Sequence, residues 1–336
     1  AFLIVFVIAK VGFSSSLVFY DSMLVDVTDE KRMDYVSTQG YAWGYIGSCI
    51  PFAACLVLVL FSGKIGISME LAMGISFVIV ALWWLGMSMP LVKKYEQKHY
   101  VEKQPYAVRQ SFVRLGSTFK NIRKEKHVFM FLLAFFFYID GVYTIIDMAT
   151  AYGSALGLDS TGLLLALLVT QLVAFPSAII FGKLAKRFNT EKLILVCISA
   201  YLFIAIFAIF LATQLQFWIL AVLVGMFQGG VQALSRSYFA KIIPAEQAGE
   251  YFGLMDICGK GAAFLGTTVV GVVTQITGSM SKGVGMISVF FVIGIVFFNM
   301  AMKVDGAGEV HAEKKTHNEE PVEDMGGNYK YPIDIV

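Results

Sequence analysis

The sequence predicts an all-α membrane protein, and three observations carry that reading. Charged residues make up 15% of the 336 and hydrophobic ones 57%, where a soluble domain carries about a quarter charged. The apolar residues gather in blocks long enough to cross a hydrocarbon core of roughly 30 Å, which takes about 20 helical residues. Lysine and arginine are also distributed very unevenly among the loops between those blocks. The net charge of +2 hides that pattern and decides nothing.

Nine spans are expected, at about 1–24, 37–61, 69–92, 127–152, 160–182, 192–212, 215–235, 252–276 and 284–303. The opening run AFLIVFVIAKVGFSSSLVFY lacks the basic flank and small-residue cleavage pattern of a signal peptide, so it reads as the first span. If the 93–126 link is cytoplasmic, alternating loops place 22 of the 26 Lys and Arg residues on that side. Only Lys64 and Lys282 fall opposite, and Lys10 and Lys260 lie within spans. By the positive-inside rule the link and the C-terminal tail are therefore cytoplasmic.

The expected organisation has four parts: helices in 1–92, a basic link at 93–126, a six-helix bundle at 127–303 and a disordered tail at 304–336. In the link, Val108, Phe112, Leu115, Phe119 and Ile122 recur at helical steps, with Arg109, Arg114, Lys120, Arg123 and Lys124 on other faces. That pattern predicts an amphipathic helix at the membrane surface.

An internal repeat ties the ends together. A shift of 216 residues lays 1–24 on 217–240 and 37–61 on 253–277, and sets Asp34 on Glu250 and Tyr35 on Tyr251. Run backwards, the same shift leads us to expect three further helices, in about 90 residues, preceding Ala1 in a six-plus-six design.

Cys49, Cys55, Cys197 and Cys258 sit singly in apolar runs, and the histidines (His99, His127, His311, His317) fall in the link or tail. Small buried thiols are expected, with no metal site and no cofactor. No G-x-x-x-x-G-K-[ST] loop for nucleotides is present.

Two six-helix halves joined by a basic link resemble the major facilitator superfamily. Gly182-Lys183-Leu184-Ala185-Lys186-Arg187-Phe188-Asn189-Thr190-Glu191-Lys192 is similar to its G-x-L-x-D-R-x-G-x-K loop pattern, with matches at Gly182, Arg187 and Lys192. It departs at Lys186 and Asn189, where the pattern has Asp and Gly. Three stretches more narrowly resemble vacuole-effluxer-like (autophagy-related) transporters: FYDSMLVDVTDEKRMDYVSTQGYAWGYIG, IDGVYTIIDMATAYG and QGGVQALSRSYFAKIIPAEQAGEYFGLMDICGKGAAFLG. The resemblance implies a major-facilitator-type fold in which this chain supplies helices four to twelve. Helices four, seven and ten (1–24, 127–152 and 215–235) would then line a central cavity. It implies export of a small solute, and in fungal relatives amino acids.

Ionisable residues inside spans are the natural site candidates, because each must face a partner or water. Lys10 lies ten residues into the first span. Asp140 and Asp147 stand two turns apart and share a face with Tyr143 and Thr144, and Asp140 is the expected cavity acid. Asp256 and Lys260, four apart, suit an ion pair at a helix seam or a gate. Gln228 and Gln232 stand above Arg236, with Gln171 a weaker candidate. Gly225, Gly229, Gly40, Gly44, Gly47, Gly253 and Gly266 are expected to let helices pack closely.

The expected function is alternating-access transport by a monomer embedded in the cell membrane, acting on a small molecule and not on nucleic acid. Coupling to protons through Asp140 and facilitated efflux both stand open. The rival readings are a receptor or scaffold that keeps the fold, and an integral-membrane enzyme, which would need a polar cluster that these histidines do not supply.

Overall fold

The computed structural model describes residues 2–99 and 107–318. Its helices run in order: α1 (Phe2–Ser22), the short α2 (Leu24–Val27), α3 (Met33–Leu60), the short α4 (Ser62–Ile65) and α5 (Met69–Lys94). The link contains α6 (Ala107–Ile122). The remainder comprises α7 (Lys126–Ala155), α8 (Ser160–Leu184), α9 (Thr190–Ile209), α10 (Gln214–Ile242), α11 (Ala248–Thr277) and α12 (Met280–Asn318). Among the described residues nine helices are long and apolar enough to cross a membrane, with α12 contributing its part up to Val304.

Local chemistry sets the turns between them. Asp159 caps α8 by accepting from Gly162 N at 2.6 Å. Thr213 and Gln216 close a reciprocal capping box on α10, which satisfies backbone donors left open by the first turn. Gly278, at φ 66°, ends α11 in the left-handed conformation that glycine adopts without a Cβ clash.

The packed core lies mainly in α7–α12. Phe131, Tyr138, Tyr201, Phe291 and Phe298 are fully buried there, with Phe131 and Phe239 stacked at 5.6 Å between centroids. In α5 only Ala72 is buried, and α1 and α5 present apolar side chains outward along their length. A membrane helix can do so because lipid is as apolar as leucine. The repeat appears as three corresponding helices: α1, α3 and α5 against α10, α11 and α12.

Three expectations change. The tail, expected to lack structure from 304, is helical to Asn318, and residues 319–336 lie outside those described. The apolar stripe of α6 divides: Ile122 is buried and Leu115 packs on the core, whereas Phe112 and Phe119 are exposed. The side chain of Val108 lies outside the described residues. Gly44 and Gly47, expected at packing seams, have nothing within 4 Å of a built Cβ. The link also begins with a tether absent from the sequence reading: buried Asp26 accepts from the Tyr95 hydroxyl, from His99 N at 2.9 Å and from Lys98 N at 3.3 Å.

Candidate functional site

A cavity of about 540 Å³ opens between α1, α7, α10 and α11, with Tyr41 of α3 at its edge. Its wall carries three cations (Lys10, Arg236, Lys260) and three carboxylates (Asp21, Asp147, Asp256), so the charged groups sum to zero. Tyr143 and Gln232 line it as well. Each charge inside a membrane span needs a partner or an aqueous cavity, and six of them gather around this one.

Arg236 forms the floor and is only 5% exposed. A buried guanidinium needs both a counter-charge and acceptors for its fixed fork of donors. Asp21 Oδ1 accepts from Nη1 at 3.0 Å, Ser37 Oγ from Nε at 2.9 Å and the Ser37 carbonyl from Nη2 at 3.0 Å. The rings of Tyr41 and Tyr20 lie 4.7 and 5.3 Å from the cation. Arg236 of α10 is thereby bound to α1 and α3, across the two repeat-related groups of helices.

A second polar layer lies one step beyond, near the charged turns. Asp34 accepts from Ser237 Oγ at 2.6 Å, from Thr190 Oγ1 at 2.8 Å and from Lys241 Nζ at 2.5 Å. It therefore joins the start of α3 to α9 and α10. Beside it, a Cβ on Gly182 would overlap the Thr38 hydroxyl, so this motif glycine sets how closely α8 and α3 approach. The other motif residues, Arg187 and Lys192, are exposed and have no ion-pair partner among the described residues. Lys186, which stands where the pattern has Asp, covers the Tyr35 ring at 4.5 Å.

Several candidates move relative to expectation. Asp140 does not line the cavity. It is fully buried at the α7–α11 seam, where Oδ1 accepts from Gly266 N at 3.0 Å and from Thr144 Oγ1 at 3.2 Å. Its Oδ2 is buried without a hydrogen-bond partner. The cause is local: Gly266 has no Cβ, and one there would overlap Asp140 and Thr144, so α11 comes close enough to capture the carboxylate. Asp147, two turns on, is the α7 acid that lines the cavity.

Gln232 lines the cavity and accepts from the Tyr45 hydroxyl at 2.8 Å. Gln228 instead borders a separate apolar pocket between α7, α8 and α10, together with Gln171. Asp256 and Lys260 do pair, but in the cavity wall at 29% and 43% exposure and not at a dry seam.

Sequence reasoning missed Asp21 and Asp34. Both sit near span ends, where an acid is ordinarily solvated. The repeat held a hint, since its 216-residue shift sets Asp21 on Ser237, the neighbour of Arg236. Among the described residues no group of His, Cys, Asp and Glu is placed to hold a metal ion.

Residues 1–310 match the family described as vacuole effluxer Atg22 like. The chain is 48% identical over 296 residues to the uncharacterized MFS-type transporter YxiO of Bacillus subtilis (strain 168), covering 88% of this chain and 69% of that protein. It is 26% identical over 282 residues to autophagy-related protein 22 of Cryptococcus neoformans (strain JEC21), covering 77% of this chain and 49% of that one. The chain thus spans about half the length of the fungal relatives it matches. Among solved structures, a variant of the Escherichia coli fucose:proton symporter FucP superposes with a TM-score of 0.61 at 16% identity, over 84% of this chain and 72% of that one. A bacterial homologue of ferroportin in its outward-facing state superposes at 0.52 and 13%, over 83% and 66%.

Proposed function

The chain belongs to the Atg22-like vacuole effluxer family within the major facilitator superfamily, and from that premise we propose that it works as a carrier exporting a zwitterionic small solute, with amino acids as the leading class. One observation carries the choice of solute. Of the six cavity charges, Asp21 is paired with Arg236 and Asp256 with Lys260. Lys10 and Asp147 line the same cavity and have no ion-pair partner within 4 Å among the described residues. An open cation facing an open carboxylate suits a solute with one carboxylate and one ammonium group. A net anion or net cation would leave one of the two uncompensated.

In this reading the arginine floor and the Asp34 layer hold α1 and α3 against α8, α9 and α10 on the side of the basic turns, which faces the cytoplasm by its charge. The cavity then opens to the opposite side, and transport requires both layers to part while the halves rock. Asp140 is the proposed proton site, because a buried carboxylate with one unpartnered oxygen is much better tolerated when protonated.

The test is solute exchange by the protein in vesicles, screened with neutral, acidic and basic radiolabelled amino acids. Neutral amino acids should exchange. Lys10→Met and Asp147→Asn should each lower that exchange by more than about tenfold, the loss of one charge-assisted contact. Exchange of none of the three classes, or undiminished exchange in both variants, would overturn the proposal.

A further inference from the structure

The helix in the link has a face that the transport reading does not use. One arc of α6 meets the protein: Ile122 is 3% exposed, and Thr118 is buried and donates to Glu250 Oε2 of α11 at 2.6 Å. Glu125, just past its end, accepts from the Tyr251 hydroxyl at 3.2 Å. These contacts hold α6 across the first turns of α7 and α11, at the level where their membrane spans begin.

At 3.6 residues per turn, the arc turned away from the protein brings together Phe112, Phe119, Gly116, Arg109, Lys120 and Arg123. Phe112 is 73% exposed and Phe119 58%, and the Arg123 guanidinium lies over the Phe119 ring. Between Ala107 and Lys124 the sequence holds five basic residues and no acidic one. Two exposed aromatic rings flanked by cations, at the end plane of the spans, match the boundary between acyl chains and negatively charged headgroups.

We propose that α6 is a docking helix for acidic phospholipid: Phe112 and Phe119 enter the leaflet, and Arg109, Lys120 and Arg123 bind the headgroup phosphates. Because Thr118 and Glu125 fasten α6 to α11, the lipid composition of that leaflet acts on the α7–α12 bundle. The inference needs the interfacial position of α6 and is independent of which solute is carried.

The test uses the full chain with its four cysteines replaced and Gly116→Cys introduced. A Cβ at Gly116 meets nothing within 4 Å, so the label sits between the two rings without displacing either. The label is an environment-sensitive dye, read in nanodiscs of phosphatidylcholine alone and in a three-to-one mixture with phosphatidylglycerol, with quenching by spin-labelled lipid. Each basic residue near an anionic surface contributes about fivefold to seating at moderate salt. R109Q/K120Q/R123Q should therefore weaken it about a hundredfold.

The expected result is a quenched, apolar signal in the mixed discs, lost in pure phosphatidylcholine and lost in the triple variant. A dye at Ser117, on the solvent side, should stay unquenched throughout and reports that the helix has kept its register. A solvated dye at 116 in every composition would overturn the proposal. Equal quenching in pure phosphatidylcholine and in the triple variant would overturn it too, since apolar seating alone would then suffice. Loss of the signal on deleting residues 319–336 would assign the face to the chain's own acidic tail and overturn it.

Discussion

Replacing Asp21 with Asn should loosen the Arg236 floor of the cavity, and the size of that effect can be worked from the contacts. Breaking a buried ion pair costs about 3–5 kcal/mol because the surviving charge is stranded. Here Arg236 is 6% exposed at its side chain but Asp21 is 34% exposed. Asn also keeps one oxygen to accept the Nη1 bond, and Ser37 still supplies two acceptors. Those terms reduce the expected loss to about 1.5–2.5 kcal/mol. If the pair exists only when α1 and α10 are apposed, that loss moves the closed-to-open equilibrium by roughly tenfold to sixtyfold. The reporter is Ala233→Cys, fully buried where the Ser37 hydroxyl donates to the Ala233 carbonyl at 2.7 Å. Its alkylation by a water-soluble maleimide should accelerate by that factor in D21N. Asp256→Asn supplies the comparison: its pair with Lys260 lies within one helix and is exposed, so about 0.3–0.5 kcal/mol is at stake and the rate should change less than about threefold. Cys197, fully buried inside the α7–α12 bundle, guards against general unfolding and should stay unreactive. Equal rates at residue 233 in D21N and the parent would refute the idea that this pair holds the halves together.

Gly182→Ala should force α8 away from Thr38, destabilising the closed arrangement by about 1–3 kcal/mol, and Thr38→Ala should restore much of that in the same alkylation assay. Asp140→Asn should leave the melting temperature in detergent nearly unchanged, because its remaining oxygen can still accept from Gly266 and Thr144. It should abolish gradient-driven flux while sparing exchange, and retained driven flux would remove Asp140 from proton coupling. Cysteines at Ser117 and Ser279 should label from opposite faces of the membrane, as the 22-to-2 charge split requires.

How much of this was legible beforehand differs between fold and site for a physical reason. Spans are set by one-dimensional composition, so helices such as α7 and α8 fell within a few residues of expectation, whereas α10 runs seven residues past its expected end. The turn containing Gly182 was likewise visible as a motif, although its contact with Thr38 was not. Which way a polar side chain points depends on neighbours distant in sequence. Asp140 and Asp147 share a face because a seven-residue spacing nearly repeats it, and depth in the span alone marked Asp140 as the expected cavity acid. They were separated by Gly266 on α11, which draws in one carboxylate and leaves the other to the cavity. The glutamines four apart on α10 were divided in the same manner, Gln232 toward the cavity and Gln228 toward α8.

The same distinction explains why the two acids that escaped notice fasten the halves together. An acid deep in a span costs roughly 2.5–3.5 kcal/mol to insert and attracts attention for that reason. One near a span end is cheap to insert, so Asp21 and Asp34 looked like solvated ends. Low cost is also what a reversible contact needs. Asp34 holds Lys241, Thr190 and Ser237 in the closed arrangement, yet on separation it can exchange them for water at the membrane surface with little penalty. Asp21 can likewise turn to the cavity, which it already lines. Asp140, sealed against Gly266, has no such exit and can shed its charge only by taking up a proton. The position of each acid along its helix thus suits its proposed part: end residues for contacts that form and break, the mid-span residue for a charge that is gained and lost.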